Sequence, residues 1–224
     1  MKFVILSEKK WNEQLIEYFS KSVGHEWIHI KNKDDFTFQH LQVLRPEKIF
    51  IPHWSYIIPE EIFSNFECIV FHMTDLPFGR GGSPLQNLIE RGIYDTKISA
   101  LRVVKELDAG PIYSKENLEL YGSAEEIFIR ANKVIYKMIT NIITNNLRPE
   151  EQKGEIVNFK RRKAEDSRIN QLNDISKIYD FIRMLDAEGY PKAYLDFNNI
   201  KIEFSRAQLK ADNSIVADVR IFKK

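Results

Sequence analysis

Residues 67–87 read ECIVFHMTDLPFGRGGSPLQN. A β-branched and aromatic run stops at His72, and the loop behind it holds Pro77, Gly79, Gly81, Gly82 and Pro84. An apolar strand that ends at a polar residue before such a loop suits a parallel α/β sheet, whose ligands collect at the carboxyl ends of the strands. The glycines let a ligand approach the backbone and the prolines fix its course. Histidine is the usual side chain for moving protons near neutral pH, and a lone histidine is more often structural. Asp108, in the sequence ELDAGP, supplies the partner that raises the catalytic reading, provided the sheet brings it beside His72.

Working outward, short β-branched and aromatic runs predict strands at 2–6, 26–30, 48–51 and 67–71, alternating with helical patterns. Residues 96–105 and 111–119 flank Asp-Ala-Gly-Pro, which reads as a turn between antiparallel strands and makes the sheet mixed. Ser123 with Glu126 predicts a capping box, followed by an apolar face of Ile127, Ala131, Val134, Ile135, Met138 and Ile142. Residues 154–167 turn polar and basic and read as a surface linker. Beyond it a helix is expected over 175–185, then strands in AYLDF, IKIEFSRAQL and SIVADVRIF. The expected organisation is a catalytic domain over 1–160, a linker over 161–174 and a small α+β extension over 175–224. Ile200, Ile202 and Phe204 alternate along a strand expected to be an edge open to a second copy in a homodimer.

Composition narrows the function classes. The chain has 224 residues, with 33 basic and 32 acidic side chains, a formal charge of +1. That balance argues against a nucleic-acid partner. Its one cysteine, Cys68, has no partner for an internal disulfide, and no Cys/His spacing suits a structural zinc, so no metal is expected. The N-terminal apolar run is too short for a signal peptide and no stretch reaches membrane-spanning length, which predicts a cytoplasmic protein.

Two further stretches follow predicted strands. Ser7, Glu8, Lys9, Lys10, Trp11 and Asn12 precede a helix, where free N–H groups favour an anion; a solvated helix start is the plain alternative. Trp54 and Tyr56 could wall a flat heterocycle beside His53, or serve as a core tryptophan with a satisfied histidine.

The stretch HMTDLPFGRGGSPLQNLI, followed by TKISALRVVKELDAGPIY, resembles the folate-dependent formyltransferases. These include methionyl-tRNA, glycinamide ribonucleotide and amino-sugar N-formyltransferases. FKRRKAEDSRI and YDFIRMLDAEGYPKAYL resemble the linker and C-terminal start of the longer members, so the resemblance covers most of the chain. It implies a Rossmann-like, mostly parallel sheet of the formyltransferase type with a small C-terminal β-rich extension. It also implies 10-formyltetrahydrofolate as co-substrate and formyl transfer to a primary amine. His72 and Asp108 match the family's catalytic pair. Trp54, Ser55, Tyr56 and Ile58, with Glu106 and Leu107, match its folate-contacting segments.

One position departs from the family pattern. The asparagine expected two residues before the histidine is Val70, which has no polar group to stabilise an oxyanion. His53, Thr74 and Asn87 are candidate replacements, with His53 favoured because its strand should neighbour that of His72. By the same resemblance Ser7–Asn12 matches the phosphate loop of the ribonucleotide enzyme, with Glu8, Lys9, Lys10 and Trp11 in place of its glycines; Lys9, Lys10, Trp11, Asn12, Arg80 and Gly82 are the expected substrate contacts. Lysine charge and an aromatic face suggest a nucleotide-linked amino sugar as acceptor, in surface-glycan or nonulosonic-acid precursor synthesis. Methionyl-tRNA formylation and a non-catalytic folate-binding relative are the alternatives.

Overall fold

The computed structural model describes residues 1–224. The chain forms two compact units interleaved in sequence. The first comprises Met1–Gly81, Thr96–Leu118 and Ile129–Asn158; the second comprises Gly82–Asp95, Glu119–Phe128 and Phe159–Lys224.

The principal sheet begins with β1 (Lys2–Ser7), whose Phe3, Val4, Ile5 and Leu6 are all buried. Burial on both faces explains why this strand is a continuous apolar run rather than an alternation. After α1 (Glu13–Ser20), β2 (Glu26–Ile30) pairs parallel to one side of β1. After α2 (Phe38–Leu44), β3 (Lys48–His53) pairs parallel to its other side. The chain therefore reverses its direction of travel across the sheet at β1, and the crevice beyond β1 and β3 is where such sheets hold ligands. After α3 (Glu60–Phe63), β4 (Cys68–His72) continues the parallel order, with Ile51 paired to Val70.

The loop after β4 contains β5 (Phe78–Gly81), and α4 (Pro84–Glu90) follows. β6 (Asp95–Arg102) runs antiparallel to β4, and β7 (Ile112–Glu119) completes the order β2-β1-β3-β4-β6-β7. β6 ends three residues earlier than the sequence pattern suggests. Arg102 pairs with Ile69 near the start of β4, whereas Asp108 reaches His72 at its end, so residues 103–108 run back along β4. A tight turn could not make that excursion.

α5 (Ala124–Thr144) starts with the expected capping box: the Glu126 carboxylate accepts from Ser123 N at 2.7 Å, and Glu126 N donates to Ser123 Oγ at 3.3 Å. Ile127, Ala131, Ile135, Met138 and Ile142 are buried along it. Residues 154–167 are more structured than a linker. They include β8 (Val157–Phe159), which pairs with β5 and buries Phe159.

In the second unit, α6 (Ile175–Arg183) is capped by Asp174, which accepts from Lys177 N. Its buried Arg183 donates to Asp180 at 2.6 Å and to the Leu120 and Gly122 carbonyls, and Tyr94 Oη donates to the other Asp180 oxygen. α6 packs on an antiparallel sheet of β9 (Ala193–Phe197), β10 (Ile200–Leu209) and β11 (Ile215–Lys223). The strand carrying Ile200, Ile202 and Phe204 is the central one, flanked by β9 and β11, and not the expected edge. Both of its ladders are already satisfied within the chain. The architecture is a mixed α/β fold with a mostly parallel central sheet and a C-terminal antiparallel sheet. No helix is long and apolar enough to cross a membrane.

Candidate active site

His72 ends β4 with only 8% of its surface exposed. Its Nε2 lies 2.7 Å from the Gly79 carbonyl oxygen. A carbonyl only accepts, so Nε2 carries the hydrogen and donates it. In the neutral imidazole this leaves the lone pair on Nδ1, which faces Asp108 Oδ2 at 3.5 Å. Protonation of Nδ1 turns that contact into a charge-assisted pair. Asp108 Oδ2 is aimed by a hydrogen bond from Gly81 N at 2.9 Å. Asp108 itself has φ 52°, a left-handed conformation that an aspartate tolerates better than most residues. Gly110 allows the same turn to close. A Cβ there would stand 1.8 Å from the Arg102 carbonyl oxygen.

The structure thus brings His72 and Asp108 together within the first unit. Their loop is further fixed by Asp75, which pairs with Lys97 at 2.9 Å and Lys115 at 2.5 Å. Ser99 Oγ donates to Thr74 O at 2.7 Å and accepts from Leu76 N at 3.3 Å.

Val70 lies on the same face of β4 as His72 and packs on the cluster of Val4, Leu6, Ile51 and Cys68. Two residues past the Ile51–Val70 pair on each strand stand His53 and His72, so the expected strand adjacency holds. Both His53 ring nitrogens are buried although the residue as a whole is partly exposed, and its ring meets Trp11 edge-on at 5.9 Å. Desolvation first, and the Lys9 charge second, push its pKa down to about 4, so His53 is neutral at pH 7 and keeps one ring N–H. Thr74 Oγ1 leans on the Gly79 carbonyl at 3.4 Å. Asn87 belongs to the second unit, where its amide nitrogen already donates to the Gly82, Ser83 and Lys160 carbonyls. It is an anchor of that unit.

At the carboxyl ends of β1 and β3, Glu8 ties the two loops together. It accepts from Ser55 Oγ at 2.6 Å and pairs with Lys9 at 2.8 Å, and these hydrogen bonds hold its carboxyl below the usual range. The Lys9 charge is therefore already countered. Asn12 is fully buried and donates to Ser7 Oγ at 2.6 Å, turned away from solvent, while Lys10 is exposed. Arg80 is spent on Gln152, whose Oε1 it meets at 3.1 Å through Nε and 2.8 Å through Nη2. Gly82 packs against the Arg161 backbone, so close that a Cβ would lie 2.6 Å from the Arg161 Cα. That close approach serves packing in the second unit.

Trp54 meets Tyr56 at 5.3 Å and Phe36 at 6.2 Å, and Lys33 lies over the Tyr56 ring. Ile58 is buried, whereas Tyr56, Ile57, Glu106 and Leu107 are exposed. No group of three or more His, Cys, Asp or Glu side chains is placed to hold a metal ion.

A methionyl-tRNA formyltransferase from Clostridium thermocellum has the same fold over the full length of both chains, with a TM-score of 0.98 and 51% sequence identity. The chain belongs to the formyltransferase family. That family is a folate-dependent enzyme class. Residues 164–222 of this formyltransferase match the family described as methionyl-tRNA formyltransferase, C-terminal domain. Curated methionyl-tRNA formyltransferases from Thermodesulfovibrio yellowstonii and Thermotoga maritima are 25% and 28% identical, over 82% and 77% of this chain. The matched regions cover 62% and 58% of those relatives, so the chain spans about 60% of their length.

These relatives overturn two expectations drawn from the sequence. A sugar N-formyltransferase from Shewanella matches with a TM-score of 0.66 but only 16% identity, over 97% of this chain and 96% of that one, which is a likeness of fold alone. The nucleotide-linked amino sugar is not supported as the acceptor. Nor does the neutral charge balance exclude a nucleic-acid partner, because the similar proteins are named for tRNA. Of the two lysines in the Lys-Lys-Trp loop, Lys9 is countered by Glu8 and Lys10 is exposed.

Proposed function

We propose that this formyltransferase transfers the formyl group of 10-formyltetrahydrofolate to the amine of methionyl-tRNA, in the cytoplasm, using His72 and Asp108. Support for the acceptor comes from the 51% identical, full-length relative that bears that name. Residues 1–160 carry catalysis in this proposal, and 161–174 lead to an extension over 175–224.

The lip of Trp54, Ser55, Tyr56, Ile58, Glu106 and Leu107 receives the co-substrate. 10-Formyltetrahydrofolate supplies, when bound, the formyl carbon that passes to the amine. His72 accepts the amine proton at Nδ1, because Nε2 is committed to the Gly79 carbonyl. Asp108 then holds the imidazolium through Oδ2, while Gly81 N–H keeps that oxygen aimed. His72 returns the proton from the same atom to the departing nitrogen. His53 offers a neutral ring N–H where Val70 has none. Lys10, exposed on the loop after β1, meets acceptor phosphate.

The test is incubation of purified protein with 10-formyltetrahydrofolate and charged initiator tRNA, followed by deacylation and mass analysis for formylmethionine. Wild type is expected to form it. His72→Ala and Asp108→Asn are expected to lower kcat by about 10²- to 10⁴-fold with little change in thermal midpoint. Wild-type protein that binds folate but yields no formylmethionine would overturn the proposal and favour a non-catalytic relative, the reading for which Val70 speaks.

A further inference from the structure

Gln152 belongs to none of the strands or helices, yet its side chain joins both segments that shape the His72–Asp108 pair. Its Nε2 donates to the Asp108 and Gly110 carbonyls, each at 2.8 Å. Its Oε1 accepts two hydrogen bonds from the Arg80 guanidinium, at 3.1 and 2.8 Å. The amide has two donor hydrogens and an oxygen with two lone pairs, so all four positions are used. Two residues earlier, Glu150 exchanges backbone hydrogen bonds with Ile112 at 2.7 and 2.9 Å, which fixes the segment against the start of β7.

The consequence lies in what flanks each anchor. Arg80 stands between Gly79, whose carbonyl takes the His72 Nε2 hydrogen, and Gly81, whose N–H aims Asp108 Oδ2. At the other end, the two carbonyls held by Gln152 bracket the left-handed turn that presents the Asp108 carboxylate. Glycines on both sides of Arg80 give that strand little stiffness of its own. One amide therefore restrains the group that selects the His72 tautomer and the group that positions its carboxylate.

We propose that Gln152 is a positioning residue for formyl transfer, acting through the Arg80 loop and the Asp108 turn without touching either substrate. The catalytic part of this inference rests on the function proposed above; the restraint on His72 does not. Misplacing a catalytic group by about 1 Å can cost a hundredfold in rate. Gln152→Leu removes all four hydrogen bonds, whereas Gln152→Glu keeps an acceptor for Arg80 and loses both donors to the carbonyls.

The experiment measures kcat, KM for folate and for tRNA, and the ring ¹⁵N shifts of His72 at neutral pH for both variants. Expected for both are a kcat lowered about tenfold to a hundredfold, KM values within twofold of wild type, and a His72 spectrum changed from the Nε2–H form to a mixture. A variant that only loosened the fold would lower the thermal midpoint without that tautomer change. Should Gln152→Leu fail to fold, Gln152→Glu and Arg80→Leu, which frees the loop from its other end, carry the same readouts. Folded variants with a single Nε2–H tautomer and wild-type kcat overturn the proposal. If wild-type protein itself forms no formylmethionine, the acceptor reading fails, and the tautomer measurement still decides whether Gln152 restrains His72.

Discussion

His72 and His53 end neighbouring strands and are held by different forces. The Gly79 carbonyl fixes one hydrogen on His72, so its chemistry is confined to Nδ1 and the Asp108 side. His53 is governed by burial, which keeps it neutral with a pKa of about 4. That depression has a consequence for stability. In the unfolded chain an imidazole takes up its proton near pH 6.5, while the folded protein resists until about pH 4. Between those values the unfolded state binds more protons, so stability falls as the solution is acidified. The contribution is complete above pH 6.5 and is lost on the way down to about pH 4. At about 1.4 kcal/mol per unit, roughly 2 kcal/mol disappears between pH 7 and pH 5. Urea unfolding of wild type and His53→Leu at the two pH values checks this. The loss from pH 7 to pH 5 should be about 2 kcal/mol smaller in the variant, and an equal loss in both proteins would show that His53 is not held neutral. Glu8 and Asp75, whose carboxyls are held below their usual ranges, titrate at lower pH than that window.

At the scale of elements, the connection from β6 to β7 does more than reverse the chain. It carries Asp108 back along β4, and the excursion closes because Gly110 approaches the Arg102 carbonyl. Gly110→Ala sets a methyl 1.8 Å from that oxygen, and neither backbone can yield without moving the turn. Overpacking of this kind costs about 1–3 kcal/mol. We expect a lower urea midpoint together with a kcat reduced at least tenfold, since the turn presents the carboxylate; an unchanged midpoint and kcat would show that the turn is free to shift. Most strands of the principal sheet were legible because Phe3, Val4, Ile49 and Ile69 lie in apolar runs buried on both faces. α5 was legible through Ser123 and Glu126. β5 was not, because Phe-Gly-Arg-Gly with two glycines reads as loop, and its partner, β8, lies in a polar run far along the sequence. The family motif located His72 and Asp108. Nothing local marked Gln152, whose partners lie 42, 44 and 72 residues away.

For the whole molecule, a formal charge of +1 conceals an uneven distribution. Lys160, Arg161, Lys163 and Arg168 are exposed within one short segment of the second unit. Arg162, in their midst, pairs with Glu90 and stacks over Phe181, so it anchors the segment instead of presenting its charge. Binding to a nucleic acid responds to such local clusters and not to the net sum, because each cation that meets a phosphate releases a counterion. If methionyl-tRNA is the acceptor, its KM should rise steeply with salt while the KM for folate changes little. Replacing Lys160, Arg161 and Lys163 by glutamine keeps Arg162 and the close packing at Gly82, which rests on the Arg161 backbone and Cβ. The variant is expected to weaken tRNA binding and to flatten the slope of log KM against log salt by up to about three, roughly one for each phosphate no longer met by a cation. Initial rates with charged initiator tRNA at several chloride concentrations measure that slope. A slope equal to that of wild type would remove this segment from the tRNA surface, while a flatter slope with kcat and the folate KM intact would assign the phosphate recognition to these three side chains.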